Sequence, residues 1–382
     1  MRRNVLFMVG LAAALTVTAC QDQEQKNDLT GPSLGKAKQQ QQQPHFTRGA
    51  KLRQLPPGVR VSDLADPGRV VVPTACDDNT PFVQYFLSRA FEIPLPSLFL
   101  LLDRFADAVP TFEALLFQTR DADTFFGYTG QYTHRMNKVE RDVKQFWDIQ
   151  SADIQVLAMH GTVLADPSRT IPTYESPVFL GLPAATAQTW AGEVQNVIQT
   201  EPTVNGGNHP LFTFNAFAIS APELGIPDKI VMGDGVLDAY AALGFDDVAP
   251  QAVFAHEFGH HIQFERNFFD ELPPGADPAT VDQAELTRHN ELMADAFAGY
   301  YLTHKRGAAL NKKRVAQFLE VFFQAGDCAF TNPGHHGTPA QRMRAAEFGF
   351  SVADEAQKQG HILTAAQVHA RFEAVYPSLV AP

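Results

Sequence analysis

Residues 253–262 constrain this chain more than any other stretch, because they carry a His-Glu-x-x-His pattern within an apolar run. Positions four apart share one face of an α-helix, so His256 and His260 can point two imidazoles at a single ion. Glu257 is rotated by about 100° from His256, which puts it beside the open side of that ion rather than on it. The pattern predicts a buried helix with two metal ligands and a general base. The alternative is a helix with two ordinary histidines.

A candidate for the third ligand lies in residues 285–301, which have helical periodicity and few helix breakers. A catalytic zinc takes three protein ligands and a water. Glu291 would complete a His-His-Glu set, and Asp295, one turn later, would accept the other ring N–H of a ligand histidine. Periodicity alone does not separate these two carboxylates, and an exposed acidic pair is the alternative. The apolar neighbours favour the metal interpretation, because an unpaired buried carboxylate is costly.

Four blocks of sequence carry a family resemblance: His-Glu-Phe-Gly-His-His-Ile-Gln at 256–263, Glu-Leu-Met-Ala-Asp-Ala-Phe-Ala-Gly at 291–299, Gly-Asp at 326–327 and His-Gly-Thr-Pro-Ala-Gln-Arg at 336–342. In this order they resemble the bacterial neutral zinc metallopeptidases, which are gluzincin-like and usually membrane-tethered. The resemblance implies one zinc ion at His256, His260 and Glu291, with Glu257 as the catalytic base and Asp295 behind the ligands. Cys328 stands where the resemblance implies a second acidic residue.

His336 is the candidate donor to the oxyanion of the reaction, from its position in the His-Gly-Thr block. The alternative is a histidine in a turn that caps the following helix.

The expected fold class is α+β, a zincin-like metallopeptidase fold that is mostly helical with a small sheet beside the active-site helix. Besides the two metal-site helices, patterns predict helices at 82–91, 97–108, 134–147, 184–200, 311–325, 339–349 and 364–375, with Ser97 and Thr111 as N-caps, and strands at 66–72, 154–160 and 210–220. Residues 210–220 and 229–235 are similar to the strand pair that precedes the active-site helix in gluzincins. Either an edge strand there binds peptide by strand addition, or both strands belong to the core.

The N-terminus reads as an export signal, with Arg2 and Arg3 before an apolar run at 5–19 that is too short for an ordinary membrane span. Small residues directly before Cys20 resemble a bacterial lipoprotein cleavage box, which implies residues 1–20 as signal peptide and a lipid anchor on Cys20. An ordinary secretory signal is the alternative. Residues 21–57 are low in complexity and are expected to be a disordered Gln-rich tether, and 58–382 to form the metallopeptidase domain.

Charge and cysteine content restrict the partners and the compartment. The chain has a net charge of −12, and residues 61–382 carry 21 Lys/Arg and 39 Asp/Glu, a net of −18. An acidic body argues against nucleic acid and against anionic membrane surfaces as partners.

Cys76 and Cys328 remain once Cys20 is set aside, so a disulfide between them is possible in an exported protein, with two buried free thiols as the alternative.

The function expected from these observations is a zinc-dependent peptidase at the cell envelope, held by its lipid anchor, with the outer membrane favoured because no Asp follows Cys20. Its partners would be a peptide or protein substrate and the membrane. A catalytically silent zincin-fold lipoprotein with a binding or structural role is the rival, and Glu257 argues against it because such a role needs no base. The motifs do not separate proteolysis from hydrolysis of a non-peptide amide or a cell-wall peptide.

Overall fold

The computed structural model describes residues 79–381 except 122–123, 329, 331 and 333. The described chain is mostly helical and has one three-stranded sheet, so the α+β class is confirmed. The helices are α1 (Pro81–Ala90), α2 (Leu95–Asp103), α3 (Val109–Leu116), α4 (Thr133–Phe146), α5 (Pro167–Glu175), α6 (Ala184–Thr200), α7 (Asp234–Ala242), α8 (Ala249–Arg266), α9 (Gln283–Thr303), α10 (Lys312–Gln324), α11 (Pro339–Gln359) and α12 (Ala365–Val380).

The sheet has the order β1 (Gln155–Met159), β3 (Ile226–Gly233), β2 (Ala216–Ala221). β1 is parallel to β3, with Gln155 opposite Lys229, and β2 is antiparallel to β3, with Ala216 opposite Met232. Within the described residues β2 is therefore an edge strand. Its residues are mostly half-buried, and the strand packs on α8.

Helix α8 is buried on nearly every side, which is why its apolar residues show no single stripe. Pro250 lies in its first turn, and the helix ends at Arg266 and is capped by Asn267, whose φ of 59° is left-handed. α8 crosses α9 closely at Gly259, where a Cβ would come within 2.9 Å of the Cα of Ala294. This small residue lets the two helices that carry the predicted ligands approach each other.

Helix α9 starts behind Asp282, whose side chain accepts a hydrogen bond from the backbone N–H of Glu285. α9 also crosses α11 closely, because a Cβ at Gly299 would lie 2.2 Å from the carbonyl oxygen of Ala346. The helices α8 and α9, which carry the predicted ligands, are thus stacked with α11 in the order α8, α9, α11.

Several predicted elements differ from the structure. The helix predicted at 97–108 is present but ends too late in the prediction: α2 ends at Asp103, and the turn between α2 and α3 holds Phe105 at a φ of 53°. Ser97 and Thr111 are not N-caps, because they lie inside α2 and α3. The strand predicted at 210–220 begins instead as a 3-10 turn at 210–212, with Pro210 at its start, and extends only from residue 216.

Other predictions lie outside the described residues: the strand at 66–72, the signal peptide, the tether, Cys20 and Cys76. Cys328 is disulfide-bonded. Its pairing with Cys76 stays a prediction.

No single described helix combines the length and apolar content needed to cross a membrane. The helices α1 and α2 together pass such a test by length and composition, but they meet at a bend of 105°.

Lys229 ties the sheet to α3 from a fully buried position. Its Nζ donates to the carbonyl oxygens of Ala114, Leu115 and Gln118 at 3.0, 2.7 and 2.7 Å, which uses all three of its donors. Ala114 and Leu115 lie in the last turn of α3, where carbonyls lack a partner within the helix, so the lysine satisfies the C-terminal end of α3.

The substitution Lys229→Met is expected to lower the free energy of unfolding by about 3 kcal/mol, because it keeps the apolar stem and leaves three carbonyls unpaired. Urea unfolding followed by circular dichroism measures the change. Lys138→Met is the control, since Lys138 is exposed and pairs only with Asp142 on the surface, a contact worth about 0–1 kcal/mol. Equal effects of the two substitutions would contradict the structural role of Lys229.

Candidate metal centre

Three side chains from α8 and α9 converge on one point. His256, His260 and Glu291 each offer a ligand atom, and these atoms lie within 4.8 Å of one another. The Nε2 atom of His256 is 3.2 Å from one carboxylate oxygen of Glu291, and Nε2 of His260 is 3.4 Å from the other. The i, i+4 spacing aligns the imidazoles on α8, and the close crossing at Gly259 brings α9 within reach.

The outer ring nitrogens of both histidines are held by neighbouring side chains. Nδ1 of His256 is 2.8 Å from Asp295 Oδ1, and Nδ1 of His260 is 2.8 Å from Gln263 Oε1. Gln263 in turn donates through Nε2 to the carbonyl oxygen of Asn290 at 2.6 Å. These contacts hold the outer nitrogens and turn Nε2 of each ring toward Glu291, the direction from which a metal would be bound.

Arg342 of α11 is a buried cation that the sequence analysis did not assign to the site. It donates to both oxygens of Asp295, through Nε and an Nη atom, each at 2.7 Å. Its other Nη atom lies 3.6 Å from Glu291. The guanidinium therefore fixes the carboxylate that orients His256 and offsets part of the negative charge gathered around the ligands.

Glu257 is buried beside the ligand residues and lines the same cleft. Burial raises its pKa above the ordinary value, although the nearby histidines pull the pKa down. A carboxylate in this situation takes up a proton more readily than one in water. Among the described residues, the group whose ligand atoms converge is made of His256, His260 and Glu291 and does not include Glu257.

His336 and Asp327 form a second group at the cleft, next to the ligands. The backbone N–H of His336 donates to Oδ2 of Asp327 at 2.8 Å, and Nδ1 of its ring lies 3.2 Å from the same oxygen. The buried His335 contacts the other oxygen at 2.6 Å. Burial alone would raise the pKa of Asp327, but its contacts with His335 and His336 hold the pKa well below its usual range. A single aspartate thus fixes both rings.

The group lies in a cleft of about 610 Å³. The edge strand β2 lines the cleft, and α8, which packs against β2, contributes His256, His260 and Glu257 to its lining. The cleft is lined by both apolar and polar side chains. The apolar ones include Phe82, Phe214, Val236, Tyr240, Val321 and Phe322, and the polar ones include Asn267, Asp270, Gln283, Thr287 and Asn290. An extended chain along β2 would pass the candidate ligands.

The donor set fits a zinc ion. Two imidazole nitrogens and one carboxylate, with the outer nitrogens already satisfied, are the three protein ligands of a catalytic zinc site with an open fourth position. Exposed acidic clusters occur commonly without a metal, but here both histidines are buried and the glutamate is nearly so.

Gln263 and Arg342 are the two site residues that the sequence analysis missed. Gln263 could have been found, because it follows His260 by three positions and so lies on the ligand face of α8. Arg342 belongs to the His-Gly-Thr-Pro-Ala-Gln-Arg block, but its contact with Asp295 depends on how α11 packs on α9.

No protein family, no curated protein and no solved structure with which the chain was compared matches it. The function has to be inferred from the chain's own residues.

Proposed function

We propose that this protein is a zinc-dependent peptidase with a zincin-like fold. The observation that carries the proposal is the convergence of His256, His260 and Glu291 on one point of a cleft, with the buried carboxylate of Glu257 beside them. A site meant only to hold a metal for structure is closed by four ligands. Three ligands and an adjacent base in an open cleft are the parts that hydrolysis needs.

A bound zinc ion would polarise the scissile carbonyl and lower the pKa of a water molecule in the cleft toward about 7. Glu257 would take the proton of the attacking water and return it to the nitrogen of the leaving amine. Its raised pKa suits both steps, because a base that holds its proton too weakly would not deliver it. Asp295 and Gln263 keep the two imidazoles turned toward the ligand position throughout.

His336 would donate to the oxygen that becomes negative when water adds to the carbonyl. Asp327 holds the ring through Nδ1, so the ring is already oriented before a substrate binds. The alternative role, a turn histidine capping a helix, is weakened because the ring contacts Asp327 and lines the cleft.

β2 would bind the substrate backbone by strand addition. It is an edge strand of the described sheet and lies along the cleft, which favours this role over that of a purely core strand. The apolar wall around Phe214 and Tyr240 would accept an apolar side chain near the bond that is cleaved. Peptides are the substrate class in which an extended backbone and such a side chain occur together.

The experiment that tests the proposal is digestion of a defined peptide pool by the purified zinc-loaded protein, read by mass spectrometry. New termini with a shared apolar position are expected. Casein serves as a protein substrate. Cleavage of cell-wall peptides or simple amides, with the peptide pool left intact, would move the function to another class of amide hydrolysis. A zinc-loaded protein that cleaves none of these would favour the silent lipoprotein.

Metal content should separate Glu291 from Asp295. Glu291→Ala removes a ligand and is expected to lose most of the zinc. Asp295→Asn keeps an acceptor for His256 and is expected to weaken zinc affinity about 10–100-fold. Asparagine is preferable to alanine here, because Arg342 would otherwise lose its buried partner. Zinc per protein after dialysis measures both, and an empty Asp295→Asn beside a full Glu291→Ala would reverse the ligand assignment.

His336→Ala is expected to lower kcat about 10²–10³-fold with little change in KM, because the interaction it removes arises in the transition state. Asp327→Asn should lower kcat in the same direction by a smaller factor, since it disturbs only the orientation of the ring. The matched control is His361→Ala, which alters an exposed histidine away from the cleft. Unchanged kcat in His336→Ala would remove this residue from the mechanism.

For location, we propose a lipoprotein at the cell envelope, anchored through Cys20, most simply at the outer membrane and facing the periplasm or the cell surface. The support is the sequence of residues 1–20, which lie outside the described part of the chain. The membrane contact would be made through the lipid anchor, and no nucleic acid partner is expected for a body with a net charge of −18 over residues 61–382.

A further inference from the structure

Three large apolar side chains stand exposed around the bend between α1 and α2. Phe91, Leu95 and Phe99 follow each other at intervals of four residues and are 66%, 53% and 64% exposed. We call this set the α1–α2 stripe. α2 is apolar on both sides: Leu98 and Leu101 are packed in the core, while Leu95 and Phe99 face out. A helix with apolar residues on all sides is normally buried on all sides. Here the protein core covers only one side of α2.

The charged residues around the stripe are already paired with one another. Arg89 pairs with Glu92, and Arg104 pairs with Asp103 and, at 2.6 Å, with Glu193. Paired charges keep their partners when water is removed nearby, so covering the stripe would strand no single charge. Two arginines and three carboxylates leave this surface with a net charge of −1, which gives an anionic partner no attraction.

The position of the stripe along the chain indicates what covers it. The described fold begins at Asn79, two residues before α1, and α1 is about 15 Å long. The predicted lipid anchor at Cys20 is 59 residues upstream, a length of chain that spans at most about 200 Å. An anchor in a bilayer therefore keeps the α1–α2 stripe within reach of that bilayer. Tethering raises the effective concentration of the lipid surface to a level at which weak contacts suffice.

We propose that the α1–α2 stripe docks on the lipid bilayer that holds the anchor, with Phe91, Leu95 and Phe99 inserted at the boundary between headgroups and acyl chains. Leu95 and Phe99 lie four residues apart on one face of α2, and Phe91 lies in the turn before it. Exposed aromatic and leucine side chains of this kind insert at that boundary. The choice of the bilayer as the partner rests on the proposed lipid anchor, and it does not depend on catalysis.

The lipid preference follows from the charge of the body. Residues 61–382 carry a net charge of −18, so anionic lipids repel the domain. The attraction to the bilayer comes from the apolar side chains of the stripe. Docking is therefore hydrophobic and favours zwitterionic lipid.

Helix α1 also supplies Phe82 to the cleft. Docking therefore holds the cleft within one length of this helix, about 15 Å, of the membrane.

Vesicle binding by the protein without its lipid anchor tests the proposal. The processed chain 20–382 carrying Cys20→Ser would be mixed with vesicles of phosphatidylcholine and phosphatidylethanolamine, and its partition measured by co-sedimentation. The test variant adds Phe91→Ser, Leu95→Ser and Phe99→Ser. The matched control adds Phe117→Ser, Leu224→Ser and Phe330→Ser, three other exposed apolar residues at 49%, 48% and 51%.

We expect the unlipidated parent to bind, the test variant to bind at least about tenfold more weakly, and the control to match the parent. Adding phosphatidylglycerol should weaken binding of the parent. Soluble-peptide hydrolysis by the test variant should equal that of the parent. If no variant hydrolyses peptide, the peptidase proposal fails while the vesicle result still stands.

Three results would overturn the proposal. The first is a parent that does not bind these vesicles, or a test variant that binds as well as the parent. The second is a parent that dimerises in sedimentation velocity while the test variant is monomeric and neither binds lipid, which would make the stripe a contact between two copies. The third is a test variant whose Tm falls by several degrees, which would mean that the chain's own residues cover the stripe.

Discussion

Glu257→Gln is expected to keep a full equivalent of zinc and to lower kcat about 10²–10⁴-fold, the usual contribution of a general base. Glutamine has nearly the same shape as glutamate and cannot accept the proton of the attacking water. None of the ligand contacts described for His256, His260 and Glu291 involves Glu257, so the metal should stay. Steady-state hydrolysis of a peptide found in the pool digestion, with zinc content measured on the same sample, gives both quantities.

The control for this substitution is Glu265→Gln, which makes the same chemical change on the same helix. Glu265 is half-buried and does not line the cleft. Its variant should retain both zinc and turnover. A Glu257→Gln protein that hydrolyses peptide at the parent rate would show that the base is elsewhere and would remove the main argument against a silent zincin fold.

Arg342→Met is expected to lower the free energy of unfolding of the metal-free protein by about 3–5 kcal/mol, because it leaves the buried carboxylate of Asp295 without its paired cation. Methionine keeps most of the apolar stem, so packing loss contributes little. Denaturant unfolding of the metal-free protein measures this cost apart from metal binding. The zinc affinity of the variant should also fall, because Asp295 no longer holds His256 in place.

Two further variants make the Arg342 result specific. Arg314→Met breaks a surface pair with Asp247, 2.6 Å long, and should cost only about 0–1 kcal/mol. The double variant Arg342→Met/Asp295→Asn also removes the buried charge of residue 295, so part of the lost stability should return. If the double variant is as unstable as the sum of the single ones, the ion pair is not the cause.

The sequence predicted the centre of the fold better than its edges. The apolar run around His256 and His260 specified a buried helix, and the carboxylates at 291 and 295 specified a second helix facing it. Both interpretations depend on spacing within one helix, which residue types alone reveal. The approach of α8 to α9 could also be suspected from Gly259, but its partner Ala294 could not be identified without the packing.

The failures concern features that no local pattern encodes. The break between α2 and α3 passes through Phe105 at a φ of 53°, a conformation that a phenylalanine adopts only when its surroundings impose it. The contact of Arg342 with Asp295 joins residues 47 positions apart on different helices. The start of the strand predicted at 210 was displaced to 216 by a 3-10 turn, because Pro210 fixes φ and favours the first turn of a helix.

Zinc titration of the metal-free protein tests the central claim most directly. Turnover of a peptide from the pool would be measured against equivalents of added zinc. Three ligands at one point predict that turnover rises linearly and levels off at one equivalent, and that His256→Ala shows no such rise. A protein that binds one equivalent of zinc and shows no turnover, or one whose turnover is the same without zinc, would contradict the proposal that His256, His260 and Glu291 form the metal centre of a peptidase.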